Sequence, residues 1–450
     1  MYMTTHKNYN HHNITLKIYS KKKIINGKII SEEAGWKTIS IYGKPYDRGF
    51  AHGYLLKNDL KKVLKVLPFH VNQMLHRNMK DYIKVSNVII RPKLKKCFPE
   101  YYDEIKGISD GARYAGVNIS LDYLIAWNSY MSLSYYFKKN YYNKCSAFIA
   151  TGNATENGKI VMAHNTHTDF VGGKIHNINI LIKPEKGYNF LMQTCPGFIA
   201  SVSDWFVCST GIIGTETTIS GIDYTPKFGI PFFCRIREAM QYGETLEDYV
   251  RIMKKDNAGD YACSWMFGDI KSNEIMLFEL GLKEESIQRT KNGVFYGANS
   301  AMDDDFRKKE THDIDHNNIS TSVGARNSRL NELLNKKYYG KINISIGKKI
   351  MADHYDVYLD KNQAGQRSIC KHMEKTIEHC ARPPFYPFGC VDGKVVDSDM
   401  AEKMSFWGRF GSACGREFSA KKHIKEHPEF KKWEGVLEDF KGEKWVKVET

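Results

Sequence analysis

The chain has 450 residues, 42% of them hydrophobic and 13% aromatic, enough apolar material for a large core, and its formal net charge of +15 draws it toward anionic surfaces. No run of 18 apolar residues occurs, which excludes a membrane-spanning helix. The ten cysteines are scattered without a Cys-x-x-Cys pair, which excludes the dense disulfide scaffold of a small secreted domain. The basic clusters at 21–23, 93–96 and 421–425 are dispersed. They read as solvated surface able to make peripheral contact with an anionic membrane, and no motif for specific nucleic-acid binding accompanies them. The first twelve residues lack the apolar core of a secretory signal, so a cytoplasmic location is expected.

In chain order, residues 1–35 are polar apart from a short strand-like run at 14–18, and read as a peripheral extension. A strand is predicted over 38–42. It leads through Gly43-Lys-Pro-Tyr-Asp-Arg-Gly-Phe-Ala-His-Gly53 into a helix over 46–75, with Leu55, Leu56, Leu60, Val63 and Leu64 at helical spacing. Further helices are expected over 101–115 and 121–136, which makes 36–144 a mostly helical segment of the same domain. At Cys145 the periodicity changes to strand and turn, with strands over 145–151, 159–165, 177–182, 190–194, 205–209 and 211–219. Helix returns over 230–254, and a hairpin over 263–280 turns at 271–273. An exposed loop is expected over 301–320, helices over 327–334 and 345–353, and an extended stretch over 383–396. Helices, strands, helices and strands in that order suit two sheets packed together and covered by helices on both sides.

The stretch that organises the chemistry is Cys145-Ser-Ala-Phe-Ile-Ala-Thr-Gly, then Asn157-Gly158, then Lys159-Ile-Val-Met-Ala-His-Asn-Thr-His. It reads as two strands joined by a tight turn, since Asn-Gly supplies the positive φ angles such a turn needs. Cys145 then stands at the mouth of the first strand, with His164, Asn165 and His167 at the matching end of the second. A thiol must ionise to act as a nucleophile. A histidine base is one route. Another opens if the Lys144–Cys145 bond is cut, because an α-amino group titrates near 7.7–8.0, roughly where a general base works best.

This hairpin resembles that of the N-terminal-nucleophile hydrolases, and within them the phospholipase B-like proteins and the related penicillin acyltransferases. Similar stretches are Gly43-x-Pro-Tyr-x-x-Gly49-x-x-x-Gly53, Gly214-Thr-Glu-Thr-Thr-Ile219, 256–269, 274–282 and Pro387-Phe-Gly-Cys-Val-Asp-Gly-Lys-Val, so the likeness spans about 38–418. It implies an α+β fold, an αββα four-layer sandwich of mainly antiparallel sheets, with 145–450 as the catalytic segment. It also implies autocatalytic cleavage before Cys145, whose thiol then attacks an acyl ester or amide, most simply of a lipid. By the same resemblance His164 is a pocket histidine, Thr217 and Thr218 line the site, and Asn257 helps bind the oxyanion. Arg326 could neutralise a substrate carboxylate or phosphate. The acyltransferase branch carries Asn-x-Asp where this chain has Asn165-Thr-His167-Thr-Asp169, and the phospholipase B-like branch has Trp where His167 stands. Substrate contact near Asn165 and His167 is therefore expected to differ.

Two other functions fit the same residues: an amidase, acyltransferase or peptidase acting on N-acyl substrates, and a non-catalytic binding protein of the same fold. A metal reading rests on Cys370-Lys-His372 and His379-Cys380, but this spacing is unlike the usual zinc knuckles. No metal and no cofactor are expected.

Overall fold

The structure is a computed structural model that describes residues 24–137, 145–312, 315–378 and 382–450. Its first strands are β1 (Gly27–Glu33), β2 (Trp36–Gly43), β3 (Ser146–Gly152), β4 (Gly158–Asp169), β5 (Ile178–Pro184), β6 (Phe190–Thr194) and β7 (Phe206–Cys208). There follow β8 (Ile212–Thr218), β9 (Cys263–Asp269), β10 (Glu274–Leu280), β11 (Glu285–Thr290) and β12 (Gly293–Gly297). After a two-stranded ribbon of β13 (Tyr355–Asp356) and β14 (Lys361–Asn362) come β15 (Phe388–Asp397), β16 (Phe406–Phe410) and β17 (Val446–Val448).

Nine strands make one sheet in the order β1-β2-β5-β6-β7-β8-β9-β10-β11, antiparallel except where β2 meets β5. Six make the other, in the order β12-β3-β4-β15-β16-β17, antiparallel throughout. Strand alternation decides how they stack. Ala147, Ile149, Ile160 and Met162 of the smaller sheet meet Leu181, Leu191, Val207, Ile213 and Leu277 of the larger one in a dry layer, each side chain nearly or fully buried. Burying a large aliphatic chain there stabilises by about 1.5–3 kcal/mol. The alternate residues Phe148, Ala150, Val161 and Ala163 face the other way, onto Leu330, Leu333, Ile350 and Met351 in and around the helices Ser322–Glu332 and Ile344–Met351. The outer face of the nine-stranded sheet is covered by helices Pro45–Leu55, Pro99–Tyr114, Phe232–Tyr242 and Leu246–Lys254. The result is a four-layer α+β sandwich, helix–sheet–sheet–helix.

The glycines of the Gly43–Gly53 stretch have a packing role. A Cβ on Gly49 would lie 2.0 Å from the Glu104 carbonyl oxygen and one on Gly53 2.0 Å from that of Ile108, while Gly107 and Gly111 approach the first helix as closely from the other side. Two small-residue stripes thus let helices Pro45–Leu55 and Pro99–Tyr114 touch backbone to backbone.

Several elements differ from the sequence reading. The helix over 46–75 is two, Pro45–Leu55 and Lys57–Gln73, broken at Leu56 so that both Leu56 and Leu60 stay buried. The helix over 230–254 also divides, because Gly243 ends one and the Thr245–Asp248 capping box starts the next. The loop over 301–320 contains the helix Asp304–Glu310, capped by the Asp303 side chain. The turn after β3 is not a two-residue turn. Pairing closes at Gly152↔Gly158, both glycines take positive φ (62° and 75°), and residues 153–157 loop out between them. Within the proposed peripheral extension, 27–33 form the edge strand β1; the predicted run at 14–18 lies outside the described residues.

Candidate active site

Cys145 immediately precedes β3. The register Ser146↔Asn165 and Ala147↔His164, continued by one residue, sets Cys145 across from Thr166 on β4. Period-two alternation gives Cys145 the face of Ala147 and Ile149, and gives His164 the face of Ile160 and Met162. Both therefore enter the space between the sheets, and the carboxylate of Glu216, on β8 of the opposite sheet, reaches them although Glu216 shares its strand face with Ile212 on the outer side. The Cys145 sulfur, a ring nitrogen of His164 and a carboxylate oxygen of Glu216 all lie within 4.8 Å of one another, and all three residues are buried.

Burial sets the protonation states. It pushes the Cys145 thiol up, and the charge of Glu216 adds to that; contact with the His167 backbone and the charge of Lys394 pull the other way. The resting group is the thiol. His164 is driven far below the usual histidine range by burial and by Lys394, and neither ring nitrogen has a hydrogen-bond partner. It is a neutral imidazole with both nitrogens uncommitted. Burial raises Glu216 to about 7, against the pull of Cys263, Tyr261 and Thr218 around it. The Tyr261 hydroxyl donates to Glu216 Oε1 at 3.1 Å and lies 3.1 Å from Thr218 Oγ1. Asp204, held at a positive φ of 47°, is fully buried without a partner for either oxygen. Burial and the neighbouring Glu216 keep its carboxyl protonated. On β15, opposite His164, Lys394 extends its ammonium to Asp392 Oδ1 at 2.7 Å, Thr166 Oγ1 at 2.9 Å, and Gln193 Oε1 and Ser203 Oγ at 3.2 Å each. The thiol thus sits among a neutral imidazole, a carboxyl poised near neutrality, a second protonated carboxyl and a fully bonded ion pair.

Glu216 yields a pH-dependent prediction. Its folded pKa is raised above the ordinary 4.5, so below about pH 4.5 both states are protonated and nothing is lost. As pH rises toward 7 the unfolded chain ionises first and stability drains, reaching a penalty of about 3 kcal/mol above neutrality. Glu216→Gln is expected to be the more stable protein near pH 8 and equal to the parent at acidic pH, with activity lost. Denaturation midpoints at the two pH values check it; an offset independent of pH would contradict the assignment.

Other expected residues are placed elsewhere. Asn165 and His167 stand on the opposite face of β4 from His164, since residues an odd number of positions apart on a strand cannot share a face. The Asn165 amide donates to the carbonyls of Met351 (2.7 Å) and Ile369 (3.3 Å), and His167 is buried near Lys371 and Arg326. Neither faces the thiol. Thr217 approaches Gly297 of β12, where a Cβ would meet its Oγ1 at 2.3 Å, so that of the pair it is Thr218 that joins the Glu216 cluster. Lys144, the residue before the expected cut, lies outside the described residues.

Arg326 is adjacent to the nucleophile but not open to a substrate anion, because its donors are all committed. Nε donates to Ser322 O (2.9 Å), Nη1 to Cys145 O (2.6 Å) and Ser146 Oγ (3.0 Å), and Nη2 to Ala298 O (2.8 Å) and Asn299 Oδ1 (3.0 Å). None of these partners is a carboxylate, and burial lowers the guanidinium to about 9. It is a desolvated cation clamped to the backbone of Cys145.

Asn257 is a turn residue. Its Nδ2 donates to Gly281 O at 2.6 Å and its Oδ1 accepts from Gly259 N at 2.8 Å, neither belonging to the Cys145 cluster. These two bonds support a structural role for it. Asn257→Ala is expected to cost about 1 kcal/mol of stability and leave kcat essentially unchanged. A kcat drop of about 10²–10³ at retained stability would restore the oxyanion assignment.

Thr168, two residues beyond Thr166 on the same face and roughly 7 Å further along β4, opens a small cavity. Its wall includes Trp127, Tyr130, Met131, Phe198 and Val202, with the pair His70 Nε2···Asp169 Oδ1 at 3.0 Å. Tyr130 and Met131 belong to the helix Tyr130–Tyr136, the last before Cys145. Sequence reading passed over Glu216, Asp204, Asp392, Lys394 and this cavity. Glu216 and the Asp392-Gly-Lys394 triplet lie inside stretches already singled out, whereas Asp204 carries no sequence signal.

The model of the Phospholipase B family matches residues 113–281. An uncharacterised protein of Archaeoglobus fulgidus is 25% identical over 256 residues, 52% of this chain and 41% of its own length. Protein dcd1A of Dictyostelium discoideum is 22% identical over 273 residues, 54% of this chain and 57% of its own length. The chain thus spans about half the length of these curated relatives. Two solved variants of the conjugated bile acid hydrolase of Clostridium perfringens align at 11% identity over 59% of this chain and 89% and 81% of theirs, with TM-scores of 0.34 and 0.28. The stretch that is similar to the Phospholipase B family thus holds Cys145, His164 and Glu216, and it lies within an αββα sandwich.

Proposed function

We propose that this protein is a thiol hydrolase that severs its own chain before Cys145 and then deacylates an acyl ester, with a lipid as the substrate class. The observation that carries the reading is the meeting of the Cys145 sulfur, His164 and Glu216 within 4.8 Å in the buried space between the sheets, at the mouth of β3.

In the self-cleavage step the sulfur attacks the Lys144 carbonyl carbon. The S–C bond forms, the C–N bond breaks, and the thiol proton passes to the departing nitrogen, relayed by Glu216, which is poised at about 7 to take and give it. Water then hydrolyses the thioester, returning hydrogen to sulfur and leaving Cys145 with a free α-amine. In turnover that amine takes the thiol proton as sulfur attacks the substrate carbonyl, and returns it to the leaving oxygen. The acyl-thioester is hydrolysed by water with the same amine as base. The desolvated Arg326 charge favours the thiolate throughout, and the aromatic cavity beyond Thr168 offers an apolar wall for an acyl group.

The substrate class is tested by offering the purified protein a lysophospholipid, a diacyl phospholipid and an N-acyl amino acid. Fatty acid released from the phospholipids, and absent with Cys145→Ala, is the expected result. Hydrolysis of the amide alone would replace lipid deacylation with the amidase reading.

A further inference from the structure

On the outer face of the six-stranded sheet, three separate stretches bring together two histidines and two cysteines. His354 follows the helix Ile344–Met351, Cys370 and His372 lie in the segment that bridges to β15 through His372↔Gly389, and Cys414 sits in the turn after β16. One ligand atom from each falls within 4.8 Å of all the others. The sulfurs of Cys370 and Cys414 are each 3.5 Å from His372 Nε2. Around a tetrahedral zinc ion, with Zn–S about 2.3 Å and Zn–N about 2.0–2.1 Å, the sulfur-to-nitrogen edge is roughly 3.5–3.6 Å. The protein holds that edge twice.

Two further features point to a cation. His354 Nε2 is buried without a hydrogen-bond partner, and its ring meets that of His372 edge-on at 5.1 Å. The other nitrogen of His372, Nδ1, lies 2.8 Å from Glu374 Oε1, the carboxylate–histidine arrangement that fixes the orientation of a metal-bound imidazole. Cys390 is nearby but engaged otherwise, its sulfur accepting from Ala413 N at 3.4 Å. We propose that His354, Cys370, His372 and Cys414 form a Cys2His2 site for one zinc-class divalent cation. Four protein ligands leave no open position, so the site is structural. Of the two pairs the sequence reading set side by side, Cys370 and His372 belong to this cluster, and His379 and Cys380 lie outside the described residues.

The placement gives the ion a role. The Ile369 carbonyl receives Asn165 of β4 and the Lys371 carbonyl receives the Cys390 amide of β15. A cation at Cys370 and His372 therefore ties down the segment that supports, from behind, the two strands carrying His164 and Lys394. This inference does not depend on what Cys145 does.

The test is metal analysis of the full chain purified under reducing conditions without chelator, then re-dialysed against Zn²⁺. One equivalent is expected in the parent and in Cys145→Ala, which removes a ligand from the other Cys, His and carboxylate cluster. Loss is expected in the double variant Cys370→Ser, Cys414→Ser. Glu374→Gln is expected to bind about 10–100-fold more weakly in competition with a chromophoric chelator. If the double variant does not fold, stripping the parent and titrating Co²⁺ back is expected to give sulfur-to-cobalt charge-transfer absorption and tetrahedral ligand-field bands. A chain that takes up no equivalent of metal, a Cys370–Cys414 disulfide found under these conditions, or metal retained by the double variant would overturn the assignment.

Discussion

Replacing Cys145 by Ala is expected to remove hydrolysis by on the order of 10⁶-fold, the loss that follows deletion of a covalent nucleophile, and to leave a folded chain. The residue is 4% exposed and its sulfur is held only by a contact with the His167 backbone, so Ala leaves a small void and removes one weak interaction. The raised thiol makes the same point from the other side: a group this costly to ionise is not there for its charge. Cys145→Ser should retain the geometry and lose most of the rate, since a hydroxyl is the weaker nucleophile. Initial rates on a hydrolysed acyl substrate, with circular dichroism to confirm folding, decide the matter. An Ala variant with parental turnover would remove Cys145 from the chemistry.

Arg326→Met is expected to destabilise the protein by several kcal/mol, since it leaves several buried neutral acceptors without a donor, at about 1–3 kcal/mol each. The carbonyls of Cys145 and Ala298 and the Asn299 side chain, all buried, would lose their donor. Arg326→Lys keeps the charge but cannot reproduce a five-donor fork, and is expected to recover only part of the loss. Denaturant midpoints at constant slope measure the stability, and the rate of chain cleavage measures the positioning of Cys145. A Met variant within about 1 kcal/mol of the parent, or a Lys variant equal to Arg, would show that the clamp is not needed.

How far the sequence could be read depended on whether the partners were local. The hairpin β9–β10 was legible because its apolar residues are contiguous and its turn at 271–273 is polar. The strand after Cys145 was legible for the same reason. β1, β11 and β12 were missed because they are half-exposed and their side chains do not alternate in polarity. Within the site, Cys145 and His164 could be paired through the register of one hairpin. The expectation that Asn165 and His167 joined them failed on alternation, which a residue count could have applied. Glu216 was hidden by its own motif, where the two threonines drew attention and the carboxylate that reaches Cys145 was passed over. Asp204, Lys394 and the His354–Cys414 cluster depend on contacts between distant stretches, and no local pattern announces them.

The account rests on a severed chain, and intact-mass analysis with N-terminal sequencing of the purified parent protein tests that most directly. Two fragments are predicted, the second beginning at Cys145, with Cys145→Ala remaining whole at 51.8 kDa. A folded parent that stays whole at that mass, with no new terminus at Cys145, would contradict the account.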